Sequence, residues 1–202
     1  MATDTNENIY YADENGVSVI ASGNGKIPGV SNPVAGTTYL IVSSLCSSSI
    51  IPCGVPGPAA DAGIGIIFNV QVDAASNVYI LANSNEIFRV DAQTDQITQI
   101  TPTPTPALGN APASAPALSS SLDLIYLDNN DNIYISDFNN ADVVRVDAIT
   151  GVMTLVAGTP GSPCNSSTAA CGDGGLATGA SLSSQGDAMF LDGTGTCTWR
   201  RQ

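Results

Sequence analysis

Residues 122–158 read LDLIYLDNNDNIYISDFNNADVVRVDAITGVMTLVAG, and this stretch decides the fold. Asp123–Asp128 alternates apolar and polar residues as a half-buried strand does. Asn129, Asn130 and Asp131 are turn formers that tolerate left-handed backbone. Asn132–Asp137 alternates again, Phe138–Ala141 is a loop, and Asp142–Ala148 is a third strand. Ile149–Gly151 closes a tight turn with glycine last, and Val152–Gly158 is an outer strand. Four antiparallel strands in a row make one blade-like sheet.

Working outward, the same phrase recurs. An apolar run, an Asp, a three-residue turn, an Asn or Thr and a second run appear at Asp4/Asn8, Asp73/Asn77, Asp128/Asn132 and Asp192/Thr196. The four aspartates stand 69, 55 and 64 residues apart. A hairpin recurring at such a period marks a β-repeat architecture, most often a propeller. The second repeat lies over the third without a gap from Phe88–Thr98 onto Val144–Thr154. Its strands are expected at Phe68–Ala74, Asn77–Asn83, Glu86–Ala92 and Gln96–Thr101. In the more diverged first repeat they are expected at Asn8–Asp13, Val17–Ser22 and Thr38–Ser44. The fold expected is all-β: an incomplete β-propeller of about three four-stranded antiparallel blades plus one extra strand. Blade 1 spans about 1–53, blade 2 about 64–101 and blade 3 about 122–158; an inner strand of a fourth blade falls at 187–192, and 193–202 is an aberrant tail.

The links repeat too. Leu118 and Leu182 each stand ten residues before a turn Asp, and each is expected to plug a gap between neighbouring blades. The Thr101–Pro106 run, TPTPTP, is expected to be an extended polyproline-type detour within such a link.

Composition bounds the function. Five basic residues against 18 acidic ones give a net charge of −13. No basic patch exists, so nucleic acid is excluded as a partner. Residues Tyr39–Val55 are too short and too polar to span a bilayer. Met1 is followed by ATDTNEN, which has neither the basic start nor the apolar run of an export signal.

The cysteines fall into pairs, Cys46 with Cys53 and Cys164 with Cys171, each separated by six residues in a Ser-containing loop. Cys53 lies 20 residues before Asp73 and Cys171 lies 21 before Asp192, so the pairs occupy the same place in their repeats. They are read as two local disulfides. Free thiols and a four-thiolate zinc site are the alternatives, the latter disfavoured by the wide spacing. Disulfides imply an extracellular or periplasmic parent protein, although the chain carries no signal peptide.

Several motifs carry residues of the kinds that bind ions or phosphate. Asp128–Asn132 resembles the start of a calcium loop, but Ile133 and Asn139 stand where an EF-hand needs Gly and Glu. Gly172–Gly175 lacks the Lys and helix of a phosphate cradle. Arg89 and Arg145, beside Asp91 and Asp147, are expected to form salt bridges between strands or blades. A Ser-His-Asp triad is excluded because the chain has no histidine.

The phrases NIYISDFNNADVVRVDAITGVMTLVAG and GDGGLATGASLSS resemble the NHL repeat family of β-propellers in its bacterial secreted form. The resemblance covers about 190 residues and is strongest in the third repeat. It implies a six-bladed parent propeller used mainly as a recognition platform. Propeller lyases that resemble the family rely on His, and this chain has none. The enzymatic alternative is a remnant of a secreted propeller enzyme, such as a lactonase-type hydrolase or a lyase. The inner strands offer it Asn69, Gln71 and Asp123 but no matching Glu.

The function expected is therefore a non-catalytic recognition or scaffold propeller for a protein or glycan, with no cofactor, no catalytic residue and no metal site. The candidate binding face comprises Asn83, Ser84, Asn85, Phe138, Asn139 and Asn140, with both cysteine loops. At the end of the chain, Thr-Cys-Thr-Trp-Arg (196–200) replaces a second strand like NIYISD. One-base-shifted codons can restore the repeat, so a frameshift before Thr196 is expected, with a natural divergent C-terminus as the alternative. Open blade edges and apolar blade faces are expected to drive self-association.

Overall fold

A computed structural model describes residues 1–46, 51–100, 102–104, 117–164, 171–172, 174–183, 188–192 and 196–200. The chain is all-β, built on four-stranded antiparallel sheets compatible with an incomplete propeller. It divides into two compact units, Met1–Ile100 and Thr101–Gln202.

The first unit holds two sheets. Strands β1 (Ala2–Thr3), β2 (Ile9–Asp13), β3 (Gly16–Ile20) and β4 (Thr38–Ser43) pair in sequence order. A short β5 (Gly57–Pro58) precedes β6 (Ile67–Val72), β7 (Val78–Ala82), β8 (Glu86–Val90) and β9 (Gln96–Ile100), which form a second meander. Strand β5 returns to pair antiparallel with β9, Gly57 opposite Ile97. One core joins the two sheets: Tyr10, Val19, Ile64, Ile80, Phe88 and Ile97 are all fully buried in it.

The second unit follows the same plan. After β10 (Thr103–Pro104) come β11 (Leu122–Leu127), β12 (Ile133–Asp137), β13 (Asp142–Val146) and β14 (Val152–Ala157), with β10 parallel to β14 at the outer edge. Part of the proline-rich run is thus a strand rather than a free polyproline detour. Polyproline and β backbones adjoin in φ/ψ space, and proline is tolerated at a sheet edge. The rest of that run lies outside the described residues. Strands β5 and β10 add a fifth member to their sheets and cover outer edges that would otherwise stay open. Leu182 packs on the small cluster of Tyr134 and Val143.

A last hairpin pairs β15 (Ala188–Leu191) with β16 (Cys197–Arg200), Leu191 opposite Cys197. One extra strand was expected; the structure has two. The segment Cys197–Arg200 follows the same aspartate turn as the other repeats, with Thr196 N–H donating to Asp192 Oδ1 at 2.8 Å.

The strands are one or two residues shorter than expected at the aspartate turns, because those residues bond to the turn instead of the ladder. Asp73 Oδ1 accepts from the N–H groups of Ala75 and Asn77, and its Oδ2 accepts from the Asn77 amide at 2.7 Å. Asn77 Oδ1 then reaches across to accept from Ala92 N–H at 2.9 Å. Asp4/Asn8 and Asp128/Asn132 repeat each of these bonds, onto Ser22 and Ala148. The residue before each Asn is left-handed: Glu7, Ser76 and Asp131 have φ of 66°, 65° and 62°. This accounts for the repeated phrase: the Asp satisfies the turn, and the Asn ties it to the third strand.

Candidate functional site

The end of each blade opposite the aspartate turns carries the β2–β3 type loops and the links. In the first unit it forms a cleft of about 520 Å³ lined by Asp13, Glu14, Leu45, Ile51, Ile66 and Ile67, among others. Leu45, Ile51 and Ile66 are 74%, 52% and 71% exposed. Large aliphatic side chains so open to water, gathered around one concavity, suit a contact surface.

Local bonds hold the walls. Ser44 Oγ donates to Glu14 O at 2.6 Å, and Ser44 N–H to Asn15 O, which fixes the Asp13–Asn15 turn against the end of β4. Ile64 and Gly65 N–H groups donate to Ser43 and Ser44 carbonyls, bringing the approach to β6 alongside. Cys46 and Cys53 are disulfide-bonded with Cα atoms 5.9 Å apart, and Cys53 exchanges both backbone hydrogen bonds with Gly63. A Cβ on Gly63 would stand 2.2 Å from Leu45 O, so only glycine lets the disulfide loop close on the link.

Asn83 sits behind this wall. Its amide nitrogen donates to Ile64 O at 2.8 Å and to Glu86 Oε2 at 2.6 Å, while its Oδ1 accepts from Ile66 N–H at 3.1 Å. The side chain is committed to positioning Ile66. Gly65, at φ +80°, passes so near Asn83 that a Cβ would lie 2.2 Å from its Oδ1. Of the neighbouring candidates, Ser84 is half-buried and Asn85 exposed. Sequence reasoning named the cleft's cysteine loop and Asn83 but not Asp13, Glu14, Leu45 or Ile66. The available signal was register: Asp13-Glu14-Asn15 closes the end of β2 as Asn83-Ser84-Asn85 follows β7.

In the second unit, Phe138 and Asn139 are exposed. Asn140 is bound inward, its amide donating to Asp137 Oδ2 at 3.0 Å and to Ala117 O at 3.2 Å. Cys164 and Cys171 form the second disulfide, Cα atoms 5.8 Å apart, with Cys164 N–H donating to Leu182 O. Asp137 also accepts from Ser119 N–H and from the Ser119 hydroxyl. Opposite it across the ladder stands Asp142, fully buried, with neither carboxylate oxygen hydrogen-bonded. Burial, and then the Asp137 charge, push Asp142 up to about 7.

The two arginines do not bridge strands or blades as expected. Each pairs with the aspartate two residues on: Arg89 with Asp91 at 3.0 Å and Arg145 with Asp147 at 3.1 Å. The aspartates are drawn there because each caps the following turn. N–H groups of Thr94 and Gln93, with the Thr94 hydroxyl and the Arg89 charge, hold Asp91 down to about 2. The corresponding groups of Thr150, Ile149 and Arg145 do the same for Asp147. These are structural pairs at strand ends.

Among the described residues no group of three or more His, Cys, Asp or Glu side chains could hold a metal ion. No described helix is long and apolar enough to cross a membrane. Asp173, in the Gly172–Gly175 motif, lies outside the described residues.

No protein-family model matches the chain, and no curated protein matches it. Among solved structures it is similar to a structural genomics protein of unknown function from Bacteroides thetaiotaomicron. That match has 18% identity and a TM-score of 0.48, and covers 80% of this chain. The chain spans about a third of that protein, 36% of its length.

Proposed function

We propose that the chain is a non-catalytic recognition module of the NHL-propeller type from an exported parent protein, binding a protein or glycan partner at the loop-bearing end of its first two blades. The observation that carries this reading is the 520 Å³ cleft of Leu45, Ile51, Ile66 and Ile67 under two carboxylates. Its volume falls within the range of about 300–1,000 Å³ common to ligand sites. The paired cysteines support an oxidising compartment, since local disulfides persist outside the reducing cytosol.

The reading is tested by probing protein and glycan arrays with the wild-type chain, with Ile66→Asp and with Ile149→Asp. Ile149 is 95% exposed in the β13–β14 turn and serves as the remote control. Binding lost in Ile66→Asp and kept in Ile149→Asp supports the module. Binding that ignores Ile66, or turnover of ester and lactone substrates above buffer, contradicts it.

A further inference from the structure

The cleft has a polarity that names its ligand. The lining combines aliphatic side chains, Leu45, Ile51 and Ile66, with the Asp13-Glu14 turn, and contains no aromatic ring. Asp13 and Glu14 are both exposed. Asp13 Oδ1 accepts from Asn15 N–H at 2.8 Å, and neither carboxylate has a cationic partner among the described residues. Arg89 and Arg145 are engaged elsewhere, and Lys26 Nζ donates to Gln93 O at 3.0 Å. The chain as a whole carries −13, so its field favours cations at that rim.

The backbone around the cleft is already satisfied: Ile66 N–H bonds Asn83 Oδ1, Ile66 O accepts from Asn83 N–H, and Leu45 N–H bonds Ser43 Oγ. Recognition here is by side chains, not by strand addition. A sugar ring would find no aromatic face to stack on. An aliphatic side chain would bury Leu45 and Ile66, while a neighbouring ammonium or guanidinium would meet Asp13 and Glu14.

We propose that this cleft takes a short peptide segment in which a bulky aliphatic side chain stands beside lysine or arginine. This rests on the recognition reading above and adds the ligand class. About two or three side chains fill a cavity of this size.

The probe is a fluorescent, N-acetylated peptide, Gly-Ser-Leu-Arg-Lys-Ser-Gly, followed by anisotropy. Controls replace both basic residues by Glu or the Leu by Gly, and chitotetraose serves as the glycan. The expected result is saturable binding of the basic peptide. It weakens about tenfold in Asp13→Asn/Glu14→Gln and again as sodium chloride rises from about 0.05 to 0.5 M. Ile66→Asp abolishes it, while circular dichroism stays unchanged. Equal binding of the Glu peptide, or binding untouched by the double charge variant, overturns the ligand class. Chitotetraose binding that needs Ile66, with no peptide binding, also overturns the class but leaves the cleft as the site. A self-association in sedimentation that Ile66→Asp disrupts, with no peptide binding, assigns the cleft to a second copy and overturns it equally. If none of the probes binds in an Ile66-dependent way, and sedimentation is also unaffected, both the class and the recognition reading fall.

Discussion

The two ends of a blade in this protein obey different rules. At the aspartate-turn end, blades 2 and 3 match bond for bond: Asp73/Asn77 and Asp128/Asn132 make the same contacts to the turn and to the third strand. At the loop end the same two blades part company. Ala82 faces Glu86 in blade 2, and Glu86 takes the Asn83 amide at 2.6 Å. In blade 3, Asp137 faces Asp142; Asp137 collects the donors of Ser119 and Asn140, and Asp142 is left with none. The first blade differs again, with Asp13 opposite Gly16. Bonds that every blade needs in order to close are repeated. The end free of that duty varies, and a binding site can be built there without unmaking the fold.

The comparison breaks first at the turn end. Asp73→Ala strands the N–H and side-chain amide of buried Asn77 and releases the N–H of exposed Ala75, and is expected to cost about 3 kcal/mol. Urea unfolding measures it. A loss below about 1 kcal/mol would mean that the repeated phrase is not what holds the blades. Opening both disulfides by Cys→Ser comes next, at about 2 kcal/mol for each short loop in the chain-entropy model. Because the Cys46–Cys53 disulfide tethers the chain beside Leu45 and Ile51, Cys46→Ser/Cys53→Ser is also expected to weaken binding at the cleft, whereas Cys164→Ser/Cys171→Ser is not.

A smaller effect of unusual sign belongs to Asp142. Its folded value near 7 lies above that of an unfolded aspartate, so the folded state binds the extra proton. Stability from this residue is greatest below about pH 4 and declines as pH rises to about 7, staying low beyond. Asp91 and Asp147 act oppositely. Held near 2, they contribute above about pH 4 and are lost as pH falls toward 2. Maximum stability is therefore expected near pH 4–5. Asp142→Asn is expected to gain about 1 kcal/mol or more at pH 8 and to flatten the alkaline decline. Melting temperatures from pH 3 to 9 decide this; a loss of stability in the variant at pH 8 would show that the carboxylate is compensated.

Much of this was legible in sequence, for reasons visible in particular residues. The Asp-x-x-x-Asn phrase is mostly local: its bonds to its own turn and to the third strand span no more than 16 residues, so the register of the strands could be read directly, whereas the bond from the Ser76 hydroxyl to Asp4 Oδ2, 72 residues apart, joins two repeats and could not. The disulfides were legible because each pair holds the same place in its repeat. The cleft was not. Leu45 and Ile66 lie 21 residues apart, on either side of the cysteine pair, and the backbone contacts of Ser43, Ser44 and Gly63, with the disulfide, bring them together. The direction of the Arg89 and Arg145 pairs was missed for a related reason. The turn-capping role of Asp91 and Asp147 competes with cross-strand pairing and wins, because three donors from the turn outweigh one partly buried guanidinium.

The smallest effects on stability are expected at the cleft itself. Leu45→Asp and Ile66→Asp should each change unfolding free energy by less than about 0.5 kcal/mol, as exposed substitutions do. A larger loss would mark these side chains as buried against something in solution.

The division between the two ends is tested most directly by amide hydrogen exchange of the wild-type chain with and without the basic peptide. Added protection is expected at residues 13–15, 44–45 and 65–67, with no change at 4–8 or 73–77. Peptide-dependent protection at the aspartate turns, with none around Ile66, would contradict it.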